Sequence, residues 1–245
     1  MRERRLYVDT PLRTGTEVII PKTTAQHINQ VLRLKRNEEI VLFNGEGGEY
    51  LATLINVKRD YVNAFVEQYL NVNRESSLDI RMALGISRGE RMDFAIQKSV
   101  ELGVRELYPV KTDRSVIKLE GDRLEKRQRH WQSIANNACE QSGRNTLVKV
   151  NQVQTLEHWL RSSLAGLRIT LSPLGNKMLG ELSPNDTVIS LLVGPEGGLS
   201  ENEIQLSNKW AFESIRLGER IMRTETAGVA AIAAMQTLWG DFSNY

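Results

Sequence analysis

The sequence predicts two domains of different class, a small β-rich domain that reads as a barrel, followed by a larger α/β domain with a parallel sheet. Three observations carry this. The first 70 residues alternate short apolar runs with turn signals. From residue 80 onward, strand-like runs alternate with stretches of helical periodicity, the pattern of a parallel sheet covered on both faces. Within that second region the run Val188–Val193 (VISLLV) is apolar throughout, as a strand buried on both faces must be.

Taken in order, Glu17–Ile20, Glu39–Phe43, Glu49–Val57 and Tyr61–Tyr69 have the length and β-branched content of strands. Asn44-Gly45-Glu46-Gly47-Gly48 lies between two of them and reads as a hairpin turn. Its glycines are not a phosphate loop, because no helix start follows. A short helix is expected over Thr24–Leu32, with Thr23 as its cap. The polar stretch 71–79 (NVNRESSLD) reads as a linker, and the boundary is set between 1–72 and 73–245. Ile80–Ile86 follows as a strand. Glu90–Leu102 reads as a helix with Met92, Ile96 and Val100 on one face and Gly103 at its end. Leu107–Val110 is the next strand, and Asp122–Ser142 a long helix with Leu124, Trp131, Ala135 and Ala138 inward. A helix over Leu156–Leu164, strands at Arg168–Ser172, Val188–Val193 and Ser214–Leu217, and helices from Glu201 and from Glu225 complete the pattern.

Composition narrows the function classes. The chain has 245 residues, 40% hydrophobic and 25% charged, an ordinary globular mix that needs no disulfide or metal staple. A single cysteine, Cys139, excludes a disulfide framework and points to a reducing compartment, the cytoplasm. His27, His130 and His158 are scattered and offer no zinc-ligand spacing, so no metal is expected, and all three read as structural or solvated. The longest uncharged apolar stretch, 226–240, is too short to cross a bilayer, so no membrane partner is expected. Net charge is +2 but unevenly spread: +4 over residues 76–149 against −3 over 150–245. A modest basic excess suits either a phosphate backbone or an ordinary solvated surface.

The chemistry concentrates at strand ends. VISLLV runs directly into Gly194-Pro195-Glu196-Gly197-Gly198-Leu199-Ser200. Ser200 and Glu203 then form a capping box, with Leu199 able to staple onto Ile204. Ligands of parallel α/β sheets bind beyond the carboxyl ends of strands, where this loop falls. It has no Lys after its glycines and is not a nucleotide P-loop, and no G-x-G-x-x-G loop opens a helix elsewhere. A second junction is Leu217-Gly218-Glu219-Arg220-Ile221-Met222-Arg223-Thr224-Glu225-Thr226-Ala227, in which Thr224 or Thr226 can cap the last helix. A third is Leu171-Ser172-Pro173-Leu174. Three strand ends that open into small-residue loops can line one pocket. The last helix, Ala227–Met235, is apolar on nearly every side and should be buried on all faces.

These motifs carry a resemblance. GPEGGLS at 194–200 and LGERIMRTETA at 217–227 resemble the two signature loops of the SPOUT methyltransferases, and more narrowly the bacterial 16S rRNA uracil-N3 methyltransferases. SRGERMDFAIQKSVELGV at 87–104, ACEQSGR at 138–144, HINQVLRLK at 27–35 and LFNGEGGEY at 42–50 extend it over nearly the whole chain in the right order. The resemblance implies an N-terminal PUA-like barrel and a C-terminal SPOUT α/β domain tied into a trefoil knot. It implies a homodimer that binds S-adenosylmethionine in the knot and acts on 16S rRNA of the small ribosomal subunit.

By the same resemblance, Leu171, Ser172, Gly194, Glu196, Gly197, Gly198, Leu217, Gly218, Ile221 and Met222 surround the cofactor. Glycine and apolar residues suit an adenine slot walled by main chain. Methylation at uracil N3 requires loss of a weakly acidic proton and stabilisation of the anion that spreads onto O2 and O4. Arg223, just before the helix whose N-terminus adds a positive dipole end, is the candidate stabiliser; its alternative is an ion pair with Glu225 or Glu196. Glu225 is either a base or a first-turn helix carboxylate. Arg88, Arg91, Arg114 and Arg144 lie by expected loops or helix stops, and Arg123, Arg127 and Arg129 line one side of the long helix. They are read as RNA contacts or surface ion pairs. Two other readings stay open: a ribose 2′-O methyltransferase of the same superfamily, separated from the first only by the narrower family match, and a non-catalytic RNA-binding assembly factor.

Overall fold

The structure is a computed structural model that describes residues 4–59, 61–115, 120–162 and 165–242. It divides into two compact units. One gathers the residues up to Glu75 together with Cys139–Leu147; the other holds Ser76–Ala138 and the residues from Val148 onward.

The first unit is a five-stranded sheet in the order β1-β3-β4-β5-β2. Its strands are β1 (Arg5–Tyr7), β2 (Glu17–Ile19), β3 (Glu39–Phe43), β4 (Glu49–Lys58) and β5 (Tyr61–Leu70). β3 and β4 are antiparallel neighbours, so 44–48 is the expected hairpin turn. Leu6, Ile28, Leu42, Leu54 and Val62 are among the side chains that form its core. The expected helix over Thr24–Leu32 begins two residues earlier. α1 (Lys22–Gln26) is capped by Pro21 without a side-chain bond, so Thr23 lies inside it, and it passes directly into a π-helical segment, His27–Leu32. β1 was not anticipated. It pairs parallel with β3 and carries Arg5 into the interior.

Arg5 is the hub of this unit. Its guanidinium lies 3.7 Å from the centroid of the Phe43 ring. It donates to Glu49 at 3.2 Å, to the carbonyls of Cys139, Glu140 and Arg144, and to Asn145 Oδ1. All five guanidinium donors are therefore satisfied, which a buried arginine requires. Burial pushes the Glu49 carboxyl upward, but its bonds to Arg74 and Arg5 outweigh that and hold it below the usual carboxylate range.

The second unit is an eight-stranded sheet, every pair parallel, in the order β11-β13-β10-β12-β6-β7-β8 with β9 also on β7. Its main strands are β6 (Asp79–Gly85), β7 (Glu106–Lys111), β10 (Leu167–Leu171), β12 (Val188–Val193) and β13 (Glu213–Arg216). Three two-residue strands were not anticipated: β8 (Lys149–Val150), β9 (Gln154–Thr155) and β11 (Lys177–Met178). β12 lies between β10 and β6 with Ile189–Val193 buried, as its unbroken apolar sequence requires.

The helices are α2 (Glu90–Glu101), α3 (Gly121–Ser142), α4 (Leu156–Ser162), α5 (Glu201–Lys209) and α6 (Thr224–Trp239). Residues 163 and 164 of the expected Leu156–Leu164 helix lie outside the described residues. Met92, Ile96 and Val100 are buried on α2, and Trp131, Ala135 and Ala138 on α3, while Leu124 is only half-buried. The capping box of α5 forms as expected: Ser200 accepts the Glu203 N–H and Glu203 accepts the Ser200 N–H at 2.8 Å. Leu199 and Ile204 share one core cluster. α6 departs from expectation twice. Its N-cap is Arg223, with no side-chain capping bond, so neither Thr224 nor Thr226 caps it. Its burial is one-sided within the chain: Gly228, Ala231, Ile232 and Met235 face inward, while Val229, Ala233 and Ala234 are half-buried and Leu238 is 50% exposed.

Candidate functional site

β13, β10 and β12 are adjacent in the sheet and run in one direction, so the loops at their carboxyl ends gather on one edge. Those loops enclose a cavity of about 380 Å³, the size of a small-molecule site. Leu171 and Ser172 line it from the loop after β10. Gly194, Glu196, Gly197 and Gly198 line it from the loop after β12, and Leu217, Gly218, Ile221 and Met222 from the loop after β13. The ten residues singled out from three separate sequence segments thus share one cavity. Leu199, Ile204 and Ile215 add apolar wall.

Local bonding shows which polar groups are already spent. The Ser172 N–H donates to Ile215 O at 2.9 Å, and its hydroxyl accepts from the Leu174 N–H at 3.2 Å, so this side chain shapes its own turn. The Gly198 N–H closes a turn onto Pro195 O at 2.8 Å. A Cβ at Gly197 would stand 3.1 Å from Arg114 Cβ, so the arginine stem crosses the loop where it carries no side chain.

Arg114 also donates to Gly197 O at 2.9 Å and lines the cavity. Its segment is held in turn by Asp113, whose N–H donates to Glu203 at 2.8 Å and whose carboxylate accepts the Ser200 hydroxyl at 2.6 Å. Asp113 was missed from the sequence, and nothing in its local pattern marks it; the signal lies in its partners 87 and 90 residues away.

Arg88 and Arg91 meet the same loop from the start of α2. The Arg88 N–H donates to Glu196 Oε1 at 2.8 Å, and Arg91 pairs with that oxygen at 3.4 Å. Burial pushes the Glu196 carboxyl upward, but the N–H groups of Arg88 and of Glu196 itself, the Ser87 hydroxyl and the Arg91 charge prevail and hold it below the usual carboxylate range. The expected alternative for Arg223, a pair with Glu196 or Glu225, is not formed among the described residues. Arg223 is exposed at the start of α6, and Glu225 is half-buried in its first turn with Oε2 unpartnered. Neither side chain lines the cavity, although Thr224 between them does. Arg216 and Arg220, which no sequence pattern marks, line it too.

Of the arginines read as RNA contacts, Arg88, Arg91, Arg114, Arg123 and Arg129 are exposed and Arg127 is half-buried. Arg144 is corrected. It is 4% exposed, and its guanidinium is bonded to Glu75 within the first unit, so it is not presented to a ligand. His130 bonds Asp93 at 2.9 Å. Among the described residues no cluster of His, Cys, Asp or Glu could hold a metal ion, and no helix is long and apolar enough to cross a membrane.

A parallel sheet whose carboxyl edge carries a glycine-walled cavity defines a small-molecule-binding α/β domain. Comparison with known proteins makes the class specific. Residues 74–236 match the family model of the RNA methyltransferase domain, and residues 20–67 match that of the RNA methyltransferase PUA domain. The chain belongs to this RNA methyltransferase family. It is 31% identical over 240 residues to the ribosomal RNA small subunit methyltransferase E of Buchnera aphidicola, covering 98% of each chain. It is 31% identical to the protein of that name from Bacillus subtilis, covering 91% of this chain and 88% of that one. Two solved structures agree closely. The ribosomal RNA small subunit methyltransferase E of Neisseria gonorrhoeae, bound to S-adenosyl methionine, superposes with a TM-score of 0.93 at 40% identity over 98% of this chain and 100% of that one. A Legionella pneumophila protein solved with the bound cofactor SAM superposes with a TM-score of 0.96 at 35% identity over 99% and 100%.

Proposed function

We propose that this chain transfers the methyl group of S-adenosylmethionine to N3 of a uridine in 16S rRNA of the small ribosomal subunit. The observation that carries the reading is the single cavity lined by the three loops of β10, β12 and β13, in a chain whose relatives are small-subunit rRNA methyltransferases and whose structural counterparts were solved with this cofactor. The cavity fits the group. Its glycines serve it in two ways: an added Cβ at Gly198 or Gly218 would meet nothing within 4 Å, so these positions border open space, while one at Gly194 would stand 3.0 Å from Leu199, so there the loop itself packs closely. Leu171, Val193, Leu199, Ile204, Ile215 and Met222 give it apolar wall, which suits an adenine ring, and Arg114, Arg216 and Arg220 add polar groups at the same cavity. Leu171, Gly194, Gly197, Gly198, Leu217, Gly218, Ile221 and Met222 would hold the cofactor, which when bound supplies an electrophilic methyl group.

The chain's own residues then have two tasks. One is to hold N3 in line with the methyl group. The other is to stabilise the negative charge that develops on the uracil as its N3 proton leaves. Arg223 serves the second task with the N-terminal end of α6, because both present positive charge beside the cavity loop. Glu225, in the first turn of α6 and with an unpartnered oxygen, is the second candidate, as proton acceptor. Arg88, Arg91 and Arg114 at the strand ends, and Arg123, Arg127 and Arg129 on α3, present cations to the RNA backbone.

The finer architecture belongs to the same reading. A 1–72 PUA-like barrel precedes a 73–245 SPOUT domain, and the strand order in which β13 lies between β10 and β11 supports a trefoil-knotted path through the cofactor loops. The apolar face of α6 left half-covered within one chain supports a homodimer through that helix; a monomeric mass by light scattering at micromolar concentration would remove this part. A substrate in the ribosome supports a cytoplasmic location. The activity is tested by mass spectrometry of nucleosides from 16S rRNA of a strain lacking this chain. 3-Methyluridine should be absent and return on complementation, whereas loss of a ribose-methylated nucleoside instead would overturn the N3 assignment.

A further inference from the structure

Glu196 lines the cavity, and its carboxylate also bonds groups outside its own loop. Oε1 takes the Arg88 N–H at 2.8 Å and stands 3.4 Å from Arg91 Nη1. Arg88 lies in the segment between β6 and α2, and Arg91 in the first turn of α2. That helix start lacks a cap of its own. Its N-cap is Gly89, with φ 49° and ψ −128° and no side chain to offer. Glu196 does not cap it, since the N–H it accepts belongs to Arg88, before the N-cap, but it sets a carboxylate beside the positive end of the helix dipole. Its side chain is 18% exposed, whereas Arg91 is 46% exposed. One end of the contact is thus fixed and the other faces water, the arrangement of an anchor holding a cation in place for a ligand. A half-exposed pair of this kind is weak, and a phosphate can recruit the arginine without a large cost.

We propose that Glu196 is a positioning residue for RNA capture, which holds Arg91 and the Arg88 turn in register with the cofactor loop. The inference rests on the function proposed above, in that Arg88 and Arg91 meet the RNA backbone. Its consequence has a sign that simple electrostatics would not give. Glu196 is an anion beside a phosphate site, so removing its charge should raise RNA affinity if charge alone mattered. If Glu196 positions Arg91, removing its charge should lower that affinity.

The test uses cofactor-free full-length protein and isolated small ribosomal subunits that lack the modification, with binding measured across a salt series. Arg91→Ala should weaken binding roughly tenfold, the size of one charge-assisted contact, and flatten the salt slope by about one. Glu196→Gln keeps an acceptor for the Arg88 N–H and loses only the charge that holds Arg91, so it should weaken binding roughly three- to tenfold with a similar flattening. The double variant should bind no more weakly than Arg91→Ala alone, since both changes remove one contact. In turnover, Glu196→Gln should raise KM for the subunit by a larger factor than KM for the cofactor. Unchanged or tighter RNA binding by Glu196→Gln would overturn the proposal, as would lost cofactor affinity with RNA affinity intact. A wild-type protein that binds no subunit would overturn the proposed function itself, and this inference with it.

Discussion

Arg5 and Arg144 in the first unit contrast with Arg88, Arg91, Arg114 and Arg223 in the second. The former are buried, and their guanidinium groups are engaged by carboxylates and carbonyls. The latter stand exposed at the carboxyl ends of parallel strands or at a helix start, with bonds that leave part of each guanidinium to solvent. A guanidinium taken from water must have its donors met by the fold, and one left in water keeps donors for a ligand. The same side chain therefore fixes structure in one unit and is available for recognition in the other, and burial with donor satisfaction decides which.

The contrast breaks first at Arg5. Arg5→Ala removes one of the two arginines paired with the buried Glu49 and the donor to three carbonyls of the 139–147 segment. A loss of about 3–5 kcal/mol is expected, read as a fall in the urea midpoint. A loss below about 1 kcal/mol would mean that Arg74, which also bonds Glu49 at 3.0 Å, suffices alone.

Arg223→Ala tests the other side. Stability should barely change, because the side chain is exposed and makes no ion pair among the described residues. Single-turnover methyl transfer at saturating RNA and cofactor should slow by roughly 10²- to 10³-fold, the loss seen when one preorganised donor to a developing anion is removed. A full rate would move the role to Glu225 or to Arg220, which lines the cavity.

The contrast also explains what the sequence could carry. β12 and its loop were legible because an unbroken apolar hexapeptide, a turn with three glycines and a capping box each constrain the chain locally. α2 and α3 were legible through their buried faces. β1 was not: three residues within the charged run RERRLYVD carry too little pattern, and their pairing with β3 lies 36 residues away. For the same reason Arg144 read as a surface cation. Its burial is set by Glu75, 69 residues distant, and nothing around it in the chain encodes that pair. The Thr24–Leu32 helix shifted because Pro21, already set at a helix-compatible φ of −54°, starts it without a side-chain cap. Around the cavity, sequence pattern was enough for the loops, whereas the bonds that tie the segment after β7 to the loop after β12, Arg114 to Gly197 and Asp113 to Ser200, appear only once the sheet brings its strand ends together.

The central claim, that the glycine-walled cavity at the ends of β10, β12 and β13 holds the methyl donor, is tested most directly by calorimetry with S-adenosylmethionine. Wild-type protein should bind one cofactor per chain. In Gly197→Val the new side chain must press on the Arg114 stem, 3.1 Å from the added Cβ, or enter the cavity, so affinity should fall by roughly tenfold or more in a variant whose melting temperature shows it folded. Unchanged affinity in that folded variant, or no binding by the wild type, would contradict the account.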